Sequence, residues 1–153
     1  VTMNKQQVYD AVNWDAVMRA PRYAGGHEEV MRAMYEGRAE VIDHWVMNDY
    51  QGELAIAWRF PDGSVAVLTD YFGSCSGCDA WENATDDEAR TMVKSLASSA
   101  RVFPSVNEAA EFCRTASDDA ANFPFRAARN LDLSGNLDAR QRCTSPVEYY
   151  DED

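Results

Sequence analysis

The chain has 153 residues, with 26 acidic against 14 basic side chains and a net charge of -12. That length suits one domain, and a domain of this size buries roughly 68–70% of its unfolded-chain surface, enough to fold without covalent staples. With 46% apolar residues the composition is globular rather than disordered; no run of about 18 apolar residues offers a membrane span, no basic start before an apolar stretch marks a secretion signal, and the acidic balance argues against general nucleic-acid binding, which needs Lys and Arg to displace counterions.

Residues 4–19 read as one helix. Asn4 caps it with Gln7 as reciprocal partner, Val8, Ala11, Val12, Trp14 and Met18 form an apolar stripe, and Pro21 lies past the end. Gly25 and Gly26 break the chain before a short helix over 28–36, closed by Gly37, with Val30, Met31 and Met34 turned inward. The period then changes. A strand is expected over 41–47, where His44 shares a face with Ile42 and Val46 as a hydrogen-bonded core or rim residue rather than a ligand. Over 53–60, Leu54, Ile56, Trp58 and Phe60 point one way and Glu53 and Arg59 the other, the pattern of a half-buried strand. Pro61-Asp62-Gly63 makes a turn, since Pro presets φ and Gly accepts a left-handed backbone. Val65, Val67, Thr69 and Tyr71 continue the hairpin, and the short connections make neighbouring strands antiparallel.

Helix returns in the second half. Thr85 and Glu88 form a capping box ahead of Ala89, Met92, Val93, Leu96, Ala97 and Ala100. Ser105 and Glu108 repeat the device ahead of Val106, Ala109, Ala110 and Cys113. A short helix follows Pro124 within 122–133, Ser134-Gly135-Asn136 interrupts it, and 146–153 reads as an acidic tail. The expected fold is α+β: a three-stranded antiparallel meander with four to five helices packed on it, in one domain over 1–145.

Between the last strand and the Thr85 helix runs Tyr71-Phe72-Gly73-Ser74-Cys75-Ser76-Gly77-Cys78-Asp79-Ala80-Trp81-Glu82. This loop resembles a Y-[YF]-G-S-C-S-G-C-D string of small bacteriophage and bacterial proteins. The resemblance covers about 50–112, implies a phage or mobile-element origin, and brings no catalytic residue with it.

Three chemistries of Cys75 and Cys78 compete with a purely structural loop. A Cys-x-x-Cys knuckle offers zinc two thiolates, but the remaining ligands must come from Cys113, Cys143, His27 and His44, none in a second knuckle, and Cys113 lies on an apolar stripe. A redox pair needs its first sulfur at a helix N-terminus, whereas the capped helix starts at Asp86 and Asp79, Glu82, Asp86, Asp87 and Glu88 add negative charge that raises a thiol pKa. A nucleophile elbow centred on Cys75 needs an immediate helix and a parallel sheet, neither of which this pattern provides. The structural reading, a tight glycine-bearing turn, outweighs all three, and no cofactor is expected, with zinc at Cys75 and Cys78 as the alternative. Four cysteines without a secretion signal point to reduced thiols and a cytoplasmic setting, the host cytoplasm for a phage protein.

Charge is distributed unevenly. Between Phe60 and Ala89 there is no Lys or Arg, while Asp62, Asp70, Asp79, Glu82, Asp86, Asp87 and Glu88 fall inside. Such a stretch is either a solvated face with helix N-terminal acids or a recognition surface for a basic partner. Trp14, Trp45, Trp58 and Trp81 lack the neighbouring cations of a base-stacking surface. The sequence reading is therefore a non-enzymatic protein-interaction module that docks through Tyr71, Phe72, Asp79, Trp81, Glu82, Asp86 and Asp87 on a basic protein surface, without direct nucleic-acid or membrane contact. The alternative is a small zinc- or thiol-dependent enzyme centred on Cys75 and Cys78.

Overall fold

Four antiparallel strands in the order β1-β2-β3-β4 organise the chain, in a computed structural model that describes residues 3–21, 27–47, 52–72, 84–116 and 125–133. They are β1 (Glu40–Val46), β2 (Gly52–Arg59), β3 (Val65–Phe72) and β4 (Arg101–Phe103). The hairpin β2–β3 runs in unbroken register from Gly52 opposite Phe72 to Arg59 opposite Val65. Its turn closes as the sequence requires: Gly63 sits at φ +93°, and the Asp62 carboxylate accepts the Ser64 N–H at 2.9 Å. The fold is α+β as expected, but with four strands rather than three. The addition, β4, is a three-residue strand directly after a helix, too short to show alternation, and it pairs with β3 from Val65 opposite Phe103 to Val67 opposite Arg101.

The largest departure concerns β2, which is buried on both faces rather than half-buried: every residue from Glu53 to Trp58 is out of solvent. On the first face Leu54, Ile56, Trp58 and Phe60 join Ala66 and Leu68 under the helices α1 (Lys5–Asp10), α2 (Trp14–Arg19), α3 (His27–Ala33) and α4 (Asp86–Ser99). On the second, Ala55 and Ala57 join Trp45, Met47, Val65 and Val67 under α5 (Val106–Thr115) and a 3-10 helix (Phe125–Asn130). The strand alternates large with small side chains, not apolar with polar. Two alanines leave room for helices to come close on the second face, where packing to interior density stabilises as well as area does.

The stretch expected as one N-terminal helix is two. Asn13 interrupts it by donating its N–H to Met34 O at 2.6 Å and capping α2 through its side chain, which accepts the Ala16 N–H at 3.1 Å. Arg38 Nη1 then donates to Ala11 O and Val12 O, carbonyls at the break. A helical break is tolerated where its polar backbone groups find such partners. The second helix, α3, stops at Ala33 rather than at 36, and turns lead to Gly37 at φ +76°.

A bulge between Val41 and Asp43 in β1 re-aims the strand. Ile42 consequently packs with the second-face cluster while Val41 and Val46 pack with the first, so His44 does not share a face with Ile42 as the unbroken alternation predicts. Thr85 and Glu88 form the capping box of α4, Ser105 caps α5 by accepting the Glu108 N–H, and Ala109 and Cys113 are buried on α5. The acidic tail over 146–153 and the 134–136 break lie outside the described residues. Among the described residues no helix is long and apolar enough to cross a membrane.

Candidate functional site

The sequence-marked loop falls between the end of β3 at Phe72 and the start of α4 at Asp86. Of its expected docking residues, Asp79, Trp81 and Glu82 lie outside the described residues, as do Cys75, Cys78 and Cys143. Tyr71 and Phe72 are the last two residues of β3, opposite Glu53 and Gly52. Asp86 and Asp87 occupy the exposed first turn of α4 together with Glu88. That helix packs on β3.

Local hydrogen bonding holds carboxylates charged here. The Thr85 N–H and then its hydroxyl keep the Glu88 carboxyl below its usual range, and the Ser64 N–H does the same for Asp62. Eight arginines outside the loop, in contrast, engage groups of the chain itself. Arg59 pairs with Glu40 and Arg114 with Glu111, Arg32 lies 3.7 Å from Glu28, and Arg126 lies 3.3 Å from Glu53. Arg38 and Arg129 donate to backbone carbonyls, of Ala11 and Val12 and of Ala116. Arg90 stacks over Trp14 at 5.4 Å and Arg101 over Phe125 at 4.6 Å.

A second polar group was not legible as a site. Glu53, expected to face water, is 9% exposed and receives Arg126 Nε and Nη2. One register row away, Trp45 and Thr69 flank Ala55, and Trp45 Nε1 and Thr69 Oγ1 are buried without hydrogen-bond partners among the described residues. Below them the Cys113 thiol is pushed up to about 12, by burial first and by the Asp43 carboxylate second, so it stays protonated at neutral pH and is neither a ready nucleophile nor a ready ligand. His44 points Nδ1 at Glu28, 3.7 Å away. His27 is the first residue of α3. Among the described residues no three His, Cys, Asp or Glu side chains converge to hold a metal ion. The only sequence signal for this polar row was one acidic residue opening a strand otherwise free of charge to Trp58.

No protein family, curated protein or solved structure matches the chain.

Proposed function

We propose that the chain is a non-enzymatic protein-interaction module, encoded by a phage or mobile element, whose acidic 71–88 surface docks on a basic surface of a host protein in the cytoplasm. The observation that carries this reading is charge segregation. Seven carboxylates and no cation lie between residues 60 and 89, while eight arginines elsewhere are engaged by their own chain's carboxylates, carbonyls and rings. A surface rich in charge of one sign steers a complementary partner and disfavours like-charged ones. The origin rests on the resemblance of the Gly73–Cys78 loop, and the setting on its thiols.

The test is affinity purification of the tagged chain from a bacterial host, beside the Asp79→Lys/Glu82→Lys/Asp86→Lys variant, with both proteins melted to confirm folding. The expected result is a host protein that copurifies with the wild type, is lost from the variant, and is released as the Debye length shortens from about 10 Å at 0.1 M salt to about 3 Å at 1 M. Retention by the variant would sink the acidic surface as the recognition element. Stoichiometric zinc in protein purified without chelator would instead favour the enzyme reading centred on Cys75 and Cys78.

A further inference from the structure

We infer that Asp62-Gly63 is a latent modification site: its aspartate isomerises to isoaspartate when the β2–β3 hairpin opens and is shielded while the hairpin is closed. It is the one Asp-Gly step in the sequence, and the chain has no Asn-Gly. Glycine, lacking a Cβ, presents the least hindered amide nitrogen to the side chain before it. In the reaction the Gly63 nitrogen attacks Asp62 Cγ; a nitrogen–carbon bond forms and the side-chain hydroxyl leaves as water. Water then opens the five-membered imide. Attack at Cγ restores aspartate, whereas attack at the main-chain carbonyl breaks its bond to nitrogen and leaves Gly63 joined through the side chain. Water is lost and regained, and nothing is oxidised or reduced.

The closed turn opposes each requirement of that chemistry. Gly63 N–H donates to Phe60 O at 2.9 Å, so the nucleophile is held on a carbonyl instead of being free to lose its proton and swing onto Cγ. The Asp62 carboxylate accepts the Ser64 N–H at 2.9 Å, which directs it past Gly63. The same bond holds its carboxyl below the usual range, so the protonated form from which water leaves is scarce at neutral pH. Phe60 N–H donates to Ser64 O at 2.8 Å and fixes the backbone on both sides of the step. Asp62 itself is exposed, so the protection comes from geometry and not from exclusion of water. Opening the turn removes all three bonds together. The product, in turn, does not fit the closed form. Isoaspartate lengthens the main chain by one carbon, while Arg59 must still face Val65 and the wholly buried Ser64 must still accept the Met3 N–H at its hydroxyl. Position 62 therefore keeps a record of past unfolding. It lies at the far end of the hairpin from Tyr71 and Phe72, so the inference stands apart from the docking reading.

The test incubates the native chain, the urea-unfolded chain and a synthetic peptide spanning the turn at neutral pH, in water enriched in the heavy oxygen isotope. Each opening of the imide places one heavy oxygen in residue 62, read by mass spectrometry of the tryptic peptide that begins at Phe60. Label should enter the unfolded chain and the peptide at least about tenfold faster than the native chain, because native attack must first break hydrogen bonds, one of them to a charged group. The peptide separates the effect of the turn from that of urea, and no variant has to fold. After refolding, isoaspartyl molecules should be digested by protease at lower urea than unmodified ones. Equal rates in native chain and peptide would show that the turn gives no protection, and absence of label from the unfolded chain would show that no such site exists; either result overturns the inference. Equal protease resistance of the two refolded forms would overturn the claim that the closed hairpin rejects the product.

Discussion

Arg126, on the 3-10 helix, reaches back to Glu53 on β2 with Nε 3.3 Å from one carboxylate oxygen and Nη2 3.4 Å from the other. The pair ties the last described helix to a buried carboxylate beside the departing loop. The Glu53 side chain is 11% exposed and the Arg126 side chain 51%, so the arginine is the partner that water can replace. Arg126→Ala should cost about 1–2 kcal/mol, well short of the 3–5 typical when both charges are buried. Arg126→Lys, with one point charge in place of two donors, should fall between. Urea unfolding measures both, and an unchanged midpoint for Arg126→Ala would mean that the pair contributes nothing.

The α4 capping box carries a stability and a pH expectation together. Thr85→Ala removes the hydroxyl that accepts the Glu88 N–H at 3.2 Å and should cost about 1 kcal/mol. The Glu88 carboxyl in turn accepts the Thr85 N–H at 3.0 Å, which lowers its pKa from the ordinary 4.5. A depressed carboxyl stabilises the fold above its unfolded pKa, and that contribution is lost as pH falls through the folded one. The melting-temperature gap between wild type and Glu88→Gln, which removes the titrating carboxyl while Thr85 keeps its N–H, should therefore be widest near neutrality and narrow in acid. A gap independent of pH would refute the coupling.

Cys113 should behave as a packing residue. Its thiol, raised to about 12 by burial and by Asp43, carries almost no thiolate at pH 8, and the residue is 2% exposed. Iodoacetamide applied to the folded protein at that pH, followed by peptide mapping, should leave Cys113 unmodified, and unfolding in urea should expose it to full alkylation. Rapid modification of the native protein at this position would contradict the burial.

These features differ in how far the sequence announces them. Thr85-x-x-Glu88 and Pro61-Asp62-Gly63 are local devices, complete within four residues, and both form as the residues dictate. The Asn13 break is not local: it depends on Met34 O and on the Arg38 guanidinium, residues brought up by a different helix. The second face of β2 was hidden for a related reason, since Ala55 and Ala57 look neutral in a pattern and become core only when α5 and the 3-10 helix pack on them. Of the expected docking surface, Asp86 and Asp87 follow from the capping signal, and Tyr71 and Phe72 from strand alternation. The polar row of Trp45, Glu53 and Thr69 arises from cross-strand register, which no single segment contains.

Thr69 tests whether that row is strained by its own chemistry. The residue is 1% exposed, and its hydroxyl meets no hydrogen-bond partner among the described residues. A buried hydroxyl in that condition has lost its hydration without compensation, a penalty of about 1–3 kcal/mol. Valine keeps the branched shape that suits a strand and replaces the hydroxyl by a methyl. Thr69→Val should therefore raise stability, by about 1 kcal/mol once imperfect packing is allowed for, read as a higher urea midpoint with an unchanged slope. Ser at the same position would keep the orphaned hydroxyl, lose the methyl and destabilise. A loss of stability in Thr69→Val as large as that in Thr69→Ser would mean that the hydroxyl is bonded in solution, and the row would then be a satisfied polar network bridging β1 and β3 over Ala55.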